Sequence, residues 1–354
     1  IRGGMGMTNI KNIGADEPQV VQNLISDDVI ACCEAQEKEM RDRSKRKRRV
    51  MVVASHLFLA ALVVIILLPG AKKVPSCVPL LVSVGFMELL YLSRLLGCGK
   101  DADSQQGDSS VSASWIIIIV WALLAMWDLA TTKFAMMHPV LVPAPEAVFN
   151  VFATQWKDLL VHIGSSIQLL LMGAVTSIFA GVLLGAVVGW TPSLCNVLAP
   201  IARVLAPIPS IVFAPYLVAL MPTFRLASAT VIFLGLFWPT FLGTIVRVSS
   251  MDRRIIESAR MLELTKWEMV CSVILPYLIP GVLSGLNAQL TSAIMMLTFA
   301  EMLGAKSGLG YYIINYTNFA NYVNVLAGII TVGVVVTLLN WLINALKEHA
   351  IRWM

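Results

Sequence analysis

The hydrophobic positions of this chain run in long blocks instead of alternating with polar ones. A hydrocarbon layer about 30 Å thick is crossed by roughly 20 apolar residues in a helix. Blocks of that order occur at 50–69, 77–97, 115–135, 159–190, 198–220, 225–248, 272–300 and 322–346. The pattern predicts eight spans, all helical, because an open strand in lipid leaves backbone N–H and C=O groups without partners. The expected fold class is therefore an all-α polytopic membrane protein. The block at 198–220 differs from the rest, since Pro200, Pro207, Pro209 and Pro215 fall inside it and Pro192 and Pro222 flank it. Each proline removes a backbone donor, so this span needs neighbouring helices or cavity water for the freed carbonyls.

Composition points the same way. Of the 354 residues, 58% are hydrophobic and 13% charged, against roughly 45–50% and about 25% in soluble proteins. That balance excludes a soluble enzyme, a disordered chain and a nucleic-acid binder, despite a formal net charge of +5. The scarce charges are sorted. With the N-terminus inside, twenty of the 26 Lys and Arg residues fall in cytoplasmic segments; the other six are Lys72, Lys73, Lys133, Lys157, Arg225 and Lys306. This asymmetry places both termini in the cytoplasm. The first apolar block follows Arg43-Ser-Lys-Arg-Lys-Arg-Arg49 and is long enough to stay as an anchor. The basic cluster is expected to set topology and lie near anionic headgroups. Residues 16–40 read as a short amphipathic helix (Val20, Val21, Leu24, Ile25), and Gly97–Ser114 as a polar linker. The expected organisation is a cytoplasmic arm at 1–49, a transmembrane hairpin at 50–97, a linker at 98–114 and a core at 115–354. Six cysteines without a CxxC and four isolated histidines suggest neither a disulfide framework nor a metal site.

Candidate chemistry concentrates in two places. Residues 250–271 are amphipathic and of mixed charge, and run into Ser272-Val-Ile-Leu-Pro276. Ile255, Ile256, Ala259 and Leu262 fall on one helical face, with Glu257, Arg260 and Glu263 elsewhere. Such a helix at a membrane surface suits docking of a second protein, or serves as a solvated connector. In the 272–300 span, Ser284, Asn287, Thr291, Thr298 and the following Glu301 share an arc of about 100°, with Gln289 on the other side. Polar side chains are costly in lipid and turn inward, so the stripe lines a translocation pathway or makes a polar helix–helix contact. Glu301 stands before the Gly304, Gly308 and Gly310 loop, whose glycines permit the turns of a periplasmic gate or rim. A cap or turn is its other reading. Gly181, Gly185 and Gly189, and again Gly281 and Gly285, allow close helix approach within one subunit or across a dimer seam. Asp128 is expected to pair with Lys133.

Glu257-Ser258-Ala259, followed by Val273-Ile274-Leu275-Pro276, resembles the EAA signature of ABC importer permeases. That signature is Glu-Ala-Ala, three residues, Gly, nine residues, then an aliphatic residue, any residue, Leu and Pro. The spacing agrees, but Ser258 replaces an alanine. Glu263 stands where the family has glycine, at a turn between two short helices. Val142-Pro143-Ala144-Pro145, Pro207-Ile208-Pro209-Ser210, Ala300-Glu301-Met302-Leu303-Gly304 and Ser307-Gly308-Leu309-Gly310-Tyr311 are similar to the nitrate/sulfonate/taurine-type branch, over roughly residues 115–353. The resemblance implies a type I importer permease core with two extra N-terminal helices, in the plasma (inner) membrane, that pairs with a second permease copy as a homodimer. It further implies docking of ABC ATPase subunits through a coupling loop, 250–276, that carries Glu257, Ser258, Ala259, Glu263, Leu264 and Pro276. A small anionic or organic solute would arrive from an extracytoplasmic substrate-binding protein. No G-x-x-x-x-G-K-[ST] occurs in these residues. No cofactor and no enzymatic activity are therefore expected of this chain, with ATP and Mg held by the partner ATPase; besides these proteins its partner is the lipid bilayer, and no nucleic acid is expected. The alternatives are an ion-coupled secondary transporter, which would bury more acids than Glu88, Asp128 and Glu301, and a membrane-embedded enzyme, for which no clustered acid/base constellation is visible.

Overall fold

The computed structural model describes residues 27–70, 76–97, 104–138 and 140–350, which are helical throughout their regular parts and contain no strand. The amphipathic segment expected at 16–40 lies outside the described residues as far as 26. From there the backbone is already in α1 (Asp27–Leu67), one helix running through the basic cluster into the first span. At 1.5 Å per residue α1 is about 60 Å long, roughly twice the hydrocarbon thickness, so its N-terminal half projects beyond a bilayer. Then follow α2 (Val78–Gly97), α3 (Ser104–Asp128) ending in a π-helical turn (Leu129–Lys133), α4 (Pro145–Thr154), α5 (Trp156–Trp190), α6 (Pro192–Leu205), a 3₁₀ turn (Ser210–Phe213) and α7 (Ala214–Leu220). After these come α8 (Phe224–Ser249), α9 (Arg253–Arg260), α10 (Lys266–Glu268), a second π-helical turn (Met269–Ile274), α11 (Leu275–Met302), α12 (Leu309–Asn318) and α13 (Tyr322–Ala350).

Seven of the described helical segments are long and apolar enough to cross a membrane. The eighth expected span is not a single helix. Pro192–Leu205 and Ser210–Leu220 meet at 81°, because Pro207 and Pro209 interrupt the backbone ladder between them. The break is sheltered by protein: Ser210 is buried, its hydroxyl 3.4 Å from the Met296 sulfur and packed on Gly235. Irregular backbone at membrane depth is tolerated when protein covers it. The polar linker is also shorter than expected. Residues 104–114 are the first turns of α3, whose helix extends N-terminally from the apolar block at 115; only 98–103 lie outside the described residues.

The chain forms two compact units, Ile1–Leu68 with Val84–Met126, and Pro69–Ser83 with Trp127–Met354. The division falls near Trp127 and not in the polar segment, so most of the third span goes with the first two. In the first unit a chain of hydroxyls joins three helices: Ser55 donates to the Tyr91 oxygen at 3.2 Å, and the Tyr91 and Ser114 hydroxyls are 2.7 Å apart. His56 is not isolated, since its Nε2 lies 3.3 Å from Glu88 Oε1.

The second unit is organised by α5 and α8, the most extensive helix pair in the chain. Gly173, Gly181, Gly185 and Gly189 lie along α5 where a side chain would strike Ile232, Thr240, Thr244 and Val248 of α8. The four-residue glycine repeat is thus a seam within one subunit. Gly281 instead faces Arg247, and Gly285 faces open space. Asp128 and Glu146 are both fully buried; Asp128 Oδ2 is 3.9 Å from Lys133 Nζ, and the Thr132 hydroxyl donates to Glu146 Oε2 at 3.0 Å. Burial pushes the Glu146 carboxyl above the ordinary carboxylate range.

At the far end of α11, Glu301 is 1% exposed and turned into the subunit. Its Oε1 accepts from the Ser166 hydroxyl (2.7 Å) and its Oε2 from the Gly310 N–H (2.7 Å), while the Ser166 oxygen accepts the Leu309 N–H (2.8 Å). The first N–H groups of a helix have no internal partner, and a carboxylate at that end is favoured by the helix dipole. Glu301 and Ser166 therefore cap α12. Gly308, at φ +123°, places its backbone where the Glu301 carboxylate fills the space of a side chain. The Gly308 N–H donates to His162 Nδ1 at 3.1 Å, so His162 also belongs to this clamp.

Two outcomes follow from this packing. Gly185→Leu drives a side chain into Thr244 and is expected to cost about 1–3 kcal/mol, read as a lower midpoint of thermal unfolding in detergent; Gly285→Ala, with nothing within 4 Å, is expected to leave that midpoint unchanged or slightly higher. Glu301→Ala strands the Ser166 hydroxyl and the Gly310 N–H at about 1–3 kcal/mol per group, so amide exchange at Leu309 and Gly310 should accelerate. Unchanged exchange there would show that the carboxylate does not hold the loop.

Candidate functional site: the 250–276 loop and the polar face of α11

The loop is short and firmly built. Asp252 caps α9, its side chain accepting the Arg254 N–H at 3.0 Å. Below the helix, buried Ala259 and half-buried Ile256 join Met251, Met269, Val270, Ile274 and Leu278, together with Ala186 of α5 and Val248 of α8. This floor ties α9 to the ends of three membrane helices. Two residues expected on the buried face are not there: Ile255 is 40% exposed and Leu262 73% exposed. α9 ends at Arg260, so the helical spacing no longer applies at 262, and Leu264 turns in toward the floor from beyond the bend.

The bend is at Glu263, whose φ is +51°. It adopts the left-handed conformation that glycine would take without strain, at a cost of about 1–2 kcal/mol for a residue with a Cβ. Immediately beyond, Thr265 and Glu268 form a capping box: Glu268 Oε2 accepts the Thr265 hydroxyl (2.7 Å) and N–H (2.8 Å), and the Glu268 N–H reaches Thr265 Oγ1 at 3.4 Å. The Thr265 hydroxyl first, and its backbone N–H second, hold the Glu268 carboxyl below the usual range. The Thr-x-x-Glu spacing was readable in the sequence as a helix start. Three large apolar side chains of this segment face outward, Met261 84%, Leu262 73% and Trp267 66% exposed. Glu257, Ser258 and Glu263 are exposed around it, Ala259 is part of the floor, and Pro276 is exposed at the start of α11.

Along α11 the five expected residues divide. Ser284 and Thr291 are exposed, and each satisfies its hydroxyl on its own helix, at Gly281 O (2.9 Å) and Asn287 O (3.0 Å). Asn287 is half-buried toward α13 and donates to Asn344 Oδ1 at 2.8 Å. Thr298 is half-buried, bonded to Ile294 O at 2.9 Å, and borders a small cleft with Ser166, Leu170, Leu297, Glu301 and Val335. Glu301 is inside the clamp described above. The stripe is thus open over its first half and covered by α5 and α12 over its second. Gln289 lies on the other side, donating to Thr240 Oγ1 of α8 at 3.2 Å. Gly304 is exposed, while Gly308 and Gly310 are buried against Glu301.

Known proteins resemble this stretch of the chain in sequence. Residues 177–354, from within α5 through the loop and α11 onward, match the family described as binding-protein-dependent transport system inner membrane component. The chain is 24% identical over 261 residues to the taurine transport system permease protein TauC of Escherichia coli, covering 71% of this chain and 91% of that protein. It is 25% identical over 244 residues to a putative aliphatic sulfonates transport permease protein, SsuC, of Bacillus subtilis, covering 67% and 84%. It is 28% identical over 190 residues to the nitrate import permease protein NrtB of Leptolyngbya laminosa, covering 54% and 68%. Half of its length matches one family, and that half holds both the loop and the polar face of α11, so the chain belongs to the binding-protein-dependent transport system inner membrane components and is a permease subunit of an ATP-binding-cassette importer.

Proposed function

We propose that this permease is driven through its 250–276 loop by separate ATPase subunits, which hold ATP and Mg, and that it passes a small anionic or organic solute along the open face of α11. The observation that carries this reading is the loop's construction. An exposed apolar tip (Met261, Leu262, Trp267) stands on a buried floor shared by α5, α8 and α11. A partner gripping the tip cannot move α9 alone, because close-packed cores transmit displacement instead of absorbing it. The push reaches three membrane helices together, as alternating access requires.

Orientation follows the charges. Arg253 and Arg254 are exposed at the loop and Arg247 lies at the adjacent end of α8, which favours this end in the cytoplasm. The Gly304–Gly310 loop then faces the other side, where an extracytoplasmic binding protein delivers solute. Two copies enclose the pathway between the exposed polar faces of α11. By their names the relatives handle taurine, aliphatic sulfonates and nitrate, and this chain is assigned a solute of the same small, anionic or organic kind.

Glu257→Lys, or deletion of 256–264, is expected to abolish co-purification of the ATPase while the protein still inserts; undiminished capture by either variant would overturn the assignment. The capping box gives a second outcome. Because the Glu268 carboxyl is held low, the cap contributes above the ordinary glutamate range and is lost as pH falls through the depressed value. The carboxyl-carbon NMR titration of Glu268 should therefore have a midpoint below that of a glutamate in an unfolded peptide, and Thr265→Ala should raise it.

A further inference from the structure

The clamp around the Gly304–Gly310 loop contains an imidazole whose tautomer is fixed by its neighbours. His162 lies six residues into α5, about 9 Å from the start of that helix, and its side chain is 12% exposed. A backbone N–H can only donate, so the Gly308 N–H at 3.1 Å requires a bare Nδ1. The proton of the neutral ring therefore sits on Nε2, which faces Asp158 Oδ1 at 3.6 Å. Tyr311 and Tyr312 of α12 pack on the ring, with centroids 5.9 and 5.4 Å away. Tyr312 is itself buried and donates its hydroxyl to Gln155 Oε1 at 3.3 Å. The ring is thus held from α12 as well as from its own helix.

Its two polar neighbours ask for different protonation states. The Gly308 N–H is satisfied only while Nδ1 is bare, whereas the Asp158 carboxylate is the natural partner of an imidazolium. A ring that takes a second proton at Nδ1 becomes a donor there and meets the Gly308 N–H donor against donor. Unperturbed imidazoles change charge at about pH 6.5, so the contact is complete above that range and is lost as pH falls through it. Gly308 is a poor place to lose an acceptor. It is buried, has a φ of +123° and leads directly into α12, and a stranded buried donor is costly.

The other fastenings of the loop do not use the imidazole. The Ala305 N–H reaches the Glu301 carbonyl at 3.2 Å, and the Ser165 and Ser307 hydroxyls are 2.7 Å apart. Glu301 is the titratable group that faces the loop from α11, and its carboxylate accepts from Ser166 and Gly310, not from the Gly308 N–H. Lys157 and Lys306, also at this end, are exposed.

We propose that His162 is a proton-operated latch: with Nδ1 bare it holds the Gly304–Gly310 loop to α5, and a proton taken up at Nδ1 releases the loop at Gly308. The latch goes beyond the proposed function, and only the side from which the proton arrives rests on that reading. With the loop on the extracytoplasmic side, acid there loosens the rim that solute passes.

The test is residue-resolved hydrogen exchange of the purified full chain in detergent, expressed as protection factors, at about pH 7.5 and about pH 5, either side of the imidazole range. Protection of the Gly308 amide should fall about threefold to tenfold at the lower pH, the fold-change of one net hydrogen bond. His162→Asn keeps an acceptor in the place of Nδ1 that takes no proton, so its Gly308 amide should be equally protected at both pH values. His162→Phe has no acceptor and should be equally unprotected at both. Unchanged protection in the unmodified protein would overturn the latch. A fall that persists in His162→Asn would assign the effect to Glu301 and overturn it too. Should either variant fail to fold, side-chain nitrogen NMR of the unmodified protein decides alone. Nδ1 is expected bare at the higher pH and protonated at the lower, and the same state at both would contradict the proposal. Failure to capture an ATPase would instead sink the importer reading and leave these measurements standing, because detergent exposes both faces to one pH.

Discussion

The close approach of α5 to α8 is the constraint on which the second unit depends. In lipid there is no hydrophobic gain from bringing two helices together, so their affinity comes from van der Waals fit and from polar contacts. Four glycines of α5 let the backbones meet, with Ile232, Thr240, Thr244 and Val248 seated where side chains would otherwise stand. Once α8 is placed, much else is placed with it. Its Gly235 receives Ser210 and so shelters the broken span, its Thr240 accepts from Gln289 of α11, and its Val248 forms part of the floor beneath α9.

The two ends of the unit are then fastened by different chemistry. At the loop end the fastening is apolar and continuous from α9 into three membrane helices. At the opposite end it is polar, with Glu301, Ser166 and His162 satisfying the N–H groups at 308–310. Under the proposed function, the packed floor would let a push at the loop move the helices as a body, and the capped turn would keep its shape as they shift. Between them lies the open half of α11, where Ser284, Ala288, Thr291 and Ser292 are exposed.

Much of this was legible in the sequence, and the misses have physical reasons. Long apolar blocks mark membrane helices because the bilayer sets their length, and seven of the eight blocks are single helices. The prolines of 198–220 announced trouble, but only tertiary cover by α8 and α11 decided that the backbone could bend by 81° there. Periodicity placed Ile256 and Ala259 inside, then failed at Leu262 because the helix had already ended. A polar arc on α11 showed which residues share a face; what covers that face is a property of α5, α12 and α13 and has no trace in the local pattern. Glu301 and His162, far apart in the chain, looked like a pathway acid and an isolated histidine until the fold brought α12 between them. At Glu263, where the resemblance expects glycine, the backbone takes the left-handed conformation between the caps of Asp252 and Thr265, which the local pattern alone does not reveal.

The central claim is that force enters through the exposed tip of the 250–276 loop. The most direct measurement places a photo-crosslinking amino acid at Leu262 and, as a control, at Ile329, which is 50% exposed on α13, in cells that carry the whole transporter. The account expects a crosslink from position 262 to an ATPase subunit whose yield changes with ATP, and none from position 329. A crosslink pattern in which position 262 captures no ATPase, or captures it no better than position 329, would contradict it.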